Sequence, residues 1–306
     1  MKAMLLTGFG GTDMLCYGDA PDPVAGPGDI VVDIYAASVN AADYKMRRGS
    51  YSDLTFPHIL GRDFSGVVSA IGAGVDDLTV GDAVFGVTIP GTEGAYAEQI
   101  AIKAAIVAKK PPKLSHAEAA AMALTSLTAI WALEDTAQLK RGETVLIHGG
   151  AGGVASFAIQ LAKHIGAVVI TTASPANHEY VRKLGADRVI DYHKEDFTKV
   201  AGPCDVVFDT VGGEVQVRSY DVLKPGGRLV WIAGAPAGFQ PSRSDVTVLH
   251  PRVDRDRAHL ERVAELLEAG AVWPPTITRY KLADAAEAHR VSEGRHLQGK
   301  LVLEVR

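Results

Sequence analysis

Cysteine is scarce. Only Cys16 and Cys204 occur in 306 residues, and they lie far apart, so neither a four-thiolate zinc site nor a disulfide framework can be assembled from them. Long apolar runs are missing as well, with nothing near the ~20 residues that a membrane span needs. The opening MKAMLLTGFGGTDML has one lysine and few apolar residues before its glycines, unlike a secretory signal. The expectation is a reduced, cytoplasmic protein without a membrane partner. Basic blocks are absent too, and with a net charge of -5 the main electrostatic warrant for nucleic-acid binding is gone. Solenoid-length repeats and low-complexity tracts are not seen. What is present is 47% hydrophobic against 22% charged residues, which suits a soluble globular chain. Its length is about twice that of a usual domain, so two domains are expected.

The two halves differ in texture. Up to about Lys113, short β-type runs (AMLLT, DIVVDIYAASV, FSGVVSAIG, DAVFGVTI, YAEQIAI) are separated by turn signals such as PDPVAGPGD, which predicts a mostly antiparallel β unit. Ser115 followed by Glu118 resembles a capping box opening the alanine-rich helix HAEAAAMALTSLTAIWAL. Apolar strands then alternate with amphipathic helices: TVLIH, VVITTA, RVIDY, DVVFDTV, RLVWIAG and VTVLH. Strands apolar on both faces imply a parallel sheet covered on each side, a doubly wound α/β domain. The tail reads as helices AHLERVAELLEAG and LADAAEAHRVSEG and a last strand, KLVLEV. Six strands already fill the α/β sheet, so this last one is expected to return to the N-terminal β unit.

Between TVLIH and its helix lie Gly150, Gly152 and Ala155, spaced as G-x-G-x-x-G/A. The first glycine turns the backbone, the second lets it approach a pyrophosphate, and the third small residue lets helix and strand pack closely. The helix start offers free N–H groups and a positive dipole end to an anion. Such a triplet is also what a plain glycine turn looks like; the strand before, the helix after and the further strands favour a dinucleotide site. No Gly-Lys-Ser/Thr follows, which excludes a P-loop. Roughly 20 residues on, an acidic residue would bind the ribose 2′-OH of NAD. Ala173 and Ser174 stand there instead, followed by His178, Arg182 and Lys183, so NADPH is expected. Arg182 and Lys183 are equally consistent with a solvated helix face.

The segments ASVNAADYKMRRG, ILGRDFSGVVSAIG, VGDAVFG, LTSLTAIWAL, LIHGGAGGVA, LGADRVIDY, DVVFDTVGG, LKPGGRLVWIAG and HLQGKLVLEV run nearly end to end. Together they resemble the medium-chain dehydrogenases/reductases, in the zinc-independent branch of quinone oxidoreductases and enone reductases. The resemblance implies a GroES-like, mostly antiparallel catalytic domain at residues 1–117 and 273–306 and a Rossmann dinucleotide-binding domain at 118–272. Zinc-dependent relatives place ligands in the motifs matching SVNAAD and GRD and near the start of the nucleotide domain. Here Asn40, Arg62 with Asp63, and Leu124 stand there. Tetrahedral zinc needs nitrogen, sulfur or carboxylate ligands, and no metal is expected. Without a Lewis acid a plain ketone is harder to reduce, whereas a quinone or enone accepts hydride while donors hold its oxygen.

By the same resemblance Asn40 and Tyr51 line the substrate cleft, Asn40 orienting the carbonyl and Tyr51 giving a hydrogen bond or proton relay. Tyr44 and Arg62 are further donors nearby. Plainer roles stay open: Tyr44 as core, Arg62 as the partner of Asp63, Asp43 as a tie within its own turn. Thr128 matches a threonine beside the nicotinamide and phosphates, or simply packs. Asn177 stands where the family often has a lysine for the 2′-phosphate, and Tyr192 matches a tyrosine that approaches the same phosphate. The expected cofactor set is Thr128, Gly150, Ala151, Gly152, Gly153, Val154, Ser174, Asn177, Arg182, Tyr192 and Ala233. Two functions remain: an NADPH-dependent reductase of quinones or enones, or a catalytically weak NADPH-binding protein in a structural or regulatory role. The strand VTVLH, as an edge paired with its twin, suggests a homodimer.

Overall fold

Alternating apolar residues in DIVVDIYAASV build the longest strand of the protein, Asp29–Val39, with Ile30, Val32 and Ile34 fully buried. The computed structural model describes residues 1–50, 54–241 and 243–306. It divides into one unit of Met1–Leu124, Arg255–Glu265 and Pro274–Arg306, and a second of Thr125–Asp254 and Leu266–Trp273. In the first unit the main sheet runs Ile277–Lys281, Lys300–Glu304, Asp29–Val39, Asp63–Ile71, Ala83–Val87, Val107–Lys109, and Gln99–Lys103 also pairs with Asp29–Val39. Every pair but the first is antiparallel. A smaller sheet joins Leu15–Asp19, Lys2–Leu6 and His58–Ile59. The last strand does return here, setting Leu301 opposite Val39 and Leu303 opposite Ala37. Its apolar residues close a core with Phe64, Val84 and Ile102.

The second unit is a six-stranded, wholly parallel sheet in the order Arg188–Asp191, Val168–Ala173, Thr144–Ile147, Cys204–Asp209, Leu223–Trp231, Thr247–Leu249. Counted along the chain this is 3-2-1-4-5-6, the Rossmann order, whose ligand crevice lies at the carboxyl ends of the strands where the order reverses. Val145, Leu146 and Ile147 are all fully buried, as a strand covered on both faces requires. Helix Gly153–Ile165 follows and stops at Gly166, whose φ of 93° is left-handed, a conformation that glycine takes without strain.

The capping box forms at the head of helix His116–Ile130: Ser115 N–H donates to Glu118 at 2.8 Å and Glu118 N–H to Ser115 Oγ at 3.2 Å. That helix runs on into a π-helical turn, Trp131–Thr136, which the sequence pattern does not announce. Among the described residues no helix is long and apolar enough to cross a membrane.

Candidate functional site

In the parallel unit the glycine loop sits on the carboxyl end of strand Thr144–Ile147. Gly149, rather than Gly150, takes the left-handed turn, with a φ of 72°. Gly150 is needed for another reason: a Cβ there would lie 2.2 Å from Thr171 Oγ1 on the neighbouring strand. Gly150 N–H donates to the Thr172 carbonyl at 2.9 Å and Gly149 N–H to Thr172 Oγ1 at 3.1 Å, so the loop is stapled to that strand's end. Gly152 differs. A Cβ there would meet only the Gly149 carbonyl, at 3.4 Å, so nothing inside the protein asks for glycine at the N-cap of helix Gly153–Ile165. Bare backbone beside the unsatisfied N–H groups of a helix start is a fit for a dinucleotide pyrophosphate. Ala151 and Ala155 are buried, while Gly153 and Val154 are partly open.

The loop has a support that the sequence did not flag. His148, fully buried, has its ring between Thr172 Oγ1 at 3.2 Å and Ser219 Oγ at 3.1 Å, and its carbonyl accepts from Thr210 Oγ1 at 2.7 Å. Burial, with the Arg218 charge adding to it, holds the ring down to about 3, so it is neutral at physiological pH.

Other expected cofactor residues lie on the same rim. Ser174 follows strand Val168–Ala173, and Asn177 donates to Ser174 Oγ at 3.1 Å. The register Ala173 opposite Asp191 brings Tyr192, half-exposed against His193, out beside Ser174. Ala233 follows strand Leu223–Trp231 and passes close to Gly212. Two residues are placed otherwise: Thr128 is buried within helix His116–Ile130, and Arg182 is exposed on helix His178–Lys183.

In the β unit, Asn40 caps helix Ala41–Arg47. Its Nδ2 donates to Asp63 Oδ1 at 2.9 Å, its Oδ1 accepts from Lys300 Nζ at 2.7 Å, and Ser38 Oγ donates to Asp63 Oδ1 at 2.8 Å. Burial pushes the Asp63 carboxyl up and the Lys300 ammonium down, each opposed by the other's charge. Asp43 does tie its own turn, accepting from the Asn40 N–H at 2.8 Å, and also accepts from Tyr96 Oη at 2.8 Å. Tyr44 is buried on the same helix. Arg62 pairs with Glu93, at 3.4 Å, and not with Asp63; Glu93 also faces His58 at 3.5 Å. Against its burial, His58, backbone N–H groups and Arg62 keep the Glu93 carboxyl below its ordinary range. Tyr51 lies outside the described residues. Lys300, His148 and Glu93 were not picked out from sequence, since each acts through partners that only the folded sheet assembles.

Residues 26–112 match the alcohol dehydrogenase GroES-like domain family and residues 184–303 the family described as zinc-binding dehydrogenase. A 2-methylene-furan-3-one reductase of Solanum lycopersicum is 39% identical over 78% of the chain, which spans 64% of that protein's length. An NADPH-dependent alkenal/one oxidoreductase, chloroplastic, of Arabidopsis thaliana is 33% identical over 99% of the chain and 79% of its own. Among solved structures, the quinone oxidoreductase from Coxiella burnetii superposes with a TM-score of 0.92 at 36% identity, covering 100% of this chain and 99% of that one.

Proposed function

Since the chain belongs to the medium-chain dehydrogenase/reductase family, we propose that it is an NADPH-dependent oxidoreductase that transfers hydride to a quinone or an α,β-unsaturated carbonyl without zinc. The observation that carries this reading is Gly152, a glycine kept bare where no internal packing needs it, at a helix start on the strand-end rim. Gly150, Ala151, Gly152, Gly153 and Val154 would hold the pyrophosphate. Ser174, Asn177, Tyr192 and Arg182 would face the 2′-phosphate, Ala233 and Thr128 the nicotinamide side. No carboxylate stands at Ala173 or Ser174 to repel the phosphate. When bound, the reduced nicotinamide supplies the hydride.

The chain's own task is to orient the acceptor. One Asn40 N–H is held by Asp63; among the described residues the other has only the Ser38 carbonyl, at a long 3.5 Å, and is left to donate to a carbonyl oxygen on which charge develops. Tyr44, Tyr51 and Arg62 are the further donors of this reading. Zinc does not fit the donors at hand. The Asn40 oxygen already faces an ammonium, Arg62 pairs with Glu93, and Leu124 offers a backbone N–H to Asp63 at 3.3 Å. The matched zinc-binding dehydrogenase segment, 184–303, contains none of these three positions. The reading further assigns 1–117 with 273–306 to the catalytic domain and 118–272 to the dinucleotide domain, in a cytoplasmic homodimer.

Titration with NADPH and NADH in the presence of a chelator, followed by a naphthoquinone and a small enone, tests it. The expected result is tighter NADPH binding and loss of reduced-nicotinamide absorbance on adding acceptor. Thermal stabilisation by NADPH with no turnover across a broad panel would move the reading to an NADPH-binding role without catalysis.

A further inference from the structure

A lysine buried beside the acceptor-orienting amide needs an explanation. Strand register sets Leu301 opposite Val39, so Lys300 arrives opposite Asn40. Only 5% of Lys300 is exposed, and its ammonium donates to the Val39 carbonyl at 2.9 Å and to Asn40 Oδ1 at 2.7 Å. On the other end of the same amide, Asn40 Nδ2 donates at 2.9 Å to Asp63, which is fully buried and also takes Ser38 Oγ and the Leu124 N–H. Burying both charges is costly, and an apolar side chain of similar volume at residue 300 would pack at lower cost. The expense has a geometric outcome. An asparagine amide is nearly symmetric in shape, and only its surroundings decide which end is oxygen. A cation at one end and an anion at the other leave one orientation.

We propose that Lys300 is a positioning residue for Asn40: its ammonium, with Asp63 opposite, locks the amide so that it offers an N–H, never its oxygen, to the acceptor carbonyl. The inference rests on Asn40 being the group that orients the acceptor. Without the ammonium only the Asp63 hydrogen bond opposes a flip and the amide oxygen has lost its partner; the flipped form sets an oxygen lone pair against the carbonyl oxygen it should stabilise.

The test combines kinetics with the side-chain amide signals of Asn40. Lys300→Met is expected to lower kcat/KM for a small enone by about ten- to a hundredfold, the scale of a misplaced orienting group. In Lys300→Ala, ethylammonium should recover part of that loss while ethanol, of similar size but neutral, should not. In the wild-type chain one Asn40 Nδ2 proton should exchange slowly with solvent, and Lys300→Met should remove that protection. Kinetics of Lys300→Met within about twofold of wild type, rescue by ethanol equal to that by ethylammonium, or fast exchange of both wild-type Asn40 protons would overturn the proposal. Fast exchange in the wild-type chain needs no variant, so it can overturn the proposal even if the substitutions do not fold. If the wild-type chain reduces no quinone or enone, the functional reading fails by itself, and the exchange measurement still judges whether Lys300 locks the amide.

Discussion

Residue 43 is a carboxylate held where carboxylates are costly. Asp43 Oδ2 accepts from the Asn40 N–H and Tyr96 Oη, while its Oδ1 has no hydrogen-bond partner among the described residues. Burial pushes the group from 3.8 up to about 6, against the Asn40 hydrogen bond and the Arg62 charge. A folded-state value above the unfolded one means that the folded protein binds the extra proton between pH ~4 and ~6, so stability falls as pH rises through that window. The full cost above it is about 3 kcal/mol. Asp43→Asn removes the titration. Relative to wild type, the variant should therefore gain up to about 3 kcal/mol as pH goes from 4 to 7 in urea unfolding. Parallel pH profiles for the two proteins would show that Asp43 is not the group responsible. His148 and His289, both held down to about 3 by burial, act in the opposite sense, withdrawing stability as pH falls below their ordinary range. They do so in both proteins and cancel in the difference. Of this cluster the sequence displayed only the local half, Asp43 three residues past Asn40. Tyr96 is 53 positions further on and fits because Gly61 lacks a Cβ that would stand 2.3 Å from its ring. Lys300 lies 260 positions from Asn40. Contacts set by sheet closure leave no periodic trace in the chain.

At the scale of elements, periodicity and capping carried most of the information. VVITTA and DVVFDTV announce buried parallel strands because both faces are apolar, and Ser115 with Glu118 marks a helix start by chemistry alone. Leu15–Asp19 escaped because Cys16 and Tyr17 are exposed and the run lacks alternation, and the two-residue strand His58–Ile59 is too short to show any. The glycine loop was legible as a motif, but the duties of its glycines were not. Spacing cannot tell that Gly149 takes the positive φ, that Gly150 makes room for Thr171, or that Gly152 makes room for nothing internal. This division predicts two different phenotypes. Gly150→Val should destabilise the fold by about 1–3 kcal/mol through overpacking against Thr171. Gly152→Val should cost about 1 kcal/mol or less, since a Cβ there makes only an ordinary contact with the Gly149 carbonyl, yet weaken NADPH binding more than about tenfold by covering the cradle. Unfolding curves and NADPH titrations of both variants check this. Equal losses of stability would mean that Gly152 is a packing glycine like Gly150.

For the whole molecule the question is what becomes of the sheet edge. Strand Thr247–Leu249 pairs with Leu223–Trp231 on one side, and among the described residues nothing pairs with its other side. Exposed edges are normally blunted by charge, proline or a cover. Here Val248, 38% exposed, stands in an apolar TVL run with no charged residue in the strand. A two-fold axis beside such an edge lets the strand pair with its own copy and satisfies the open N–H and C=O groups of both. A net charge of only -5 over 306 residues gives weak repulsion between copies. The expected outcome is a dimer in sedimentation at micromolar concentration. Val248→Lys should sediment as a monomer, because a lysine on the strand disfavours edge pairing. NADPH binding should survive the substitution, because two strands, Leu223–Trp231 and Cys204–Asp209, separate this edge from the strand that carries the glycine loop. A wild-type monomer, or a Val248→Lys dimer of undiminished stability, would assign self-association to another surface or to none.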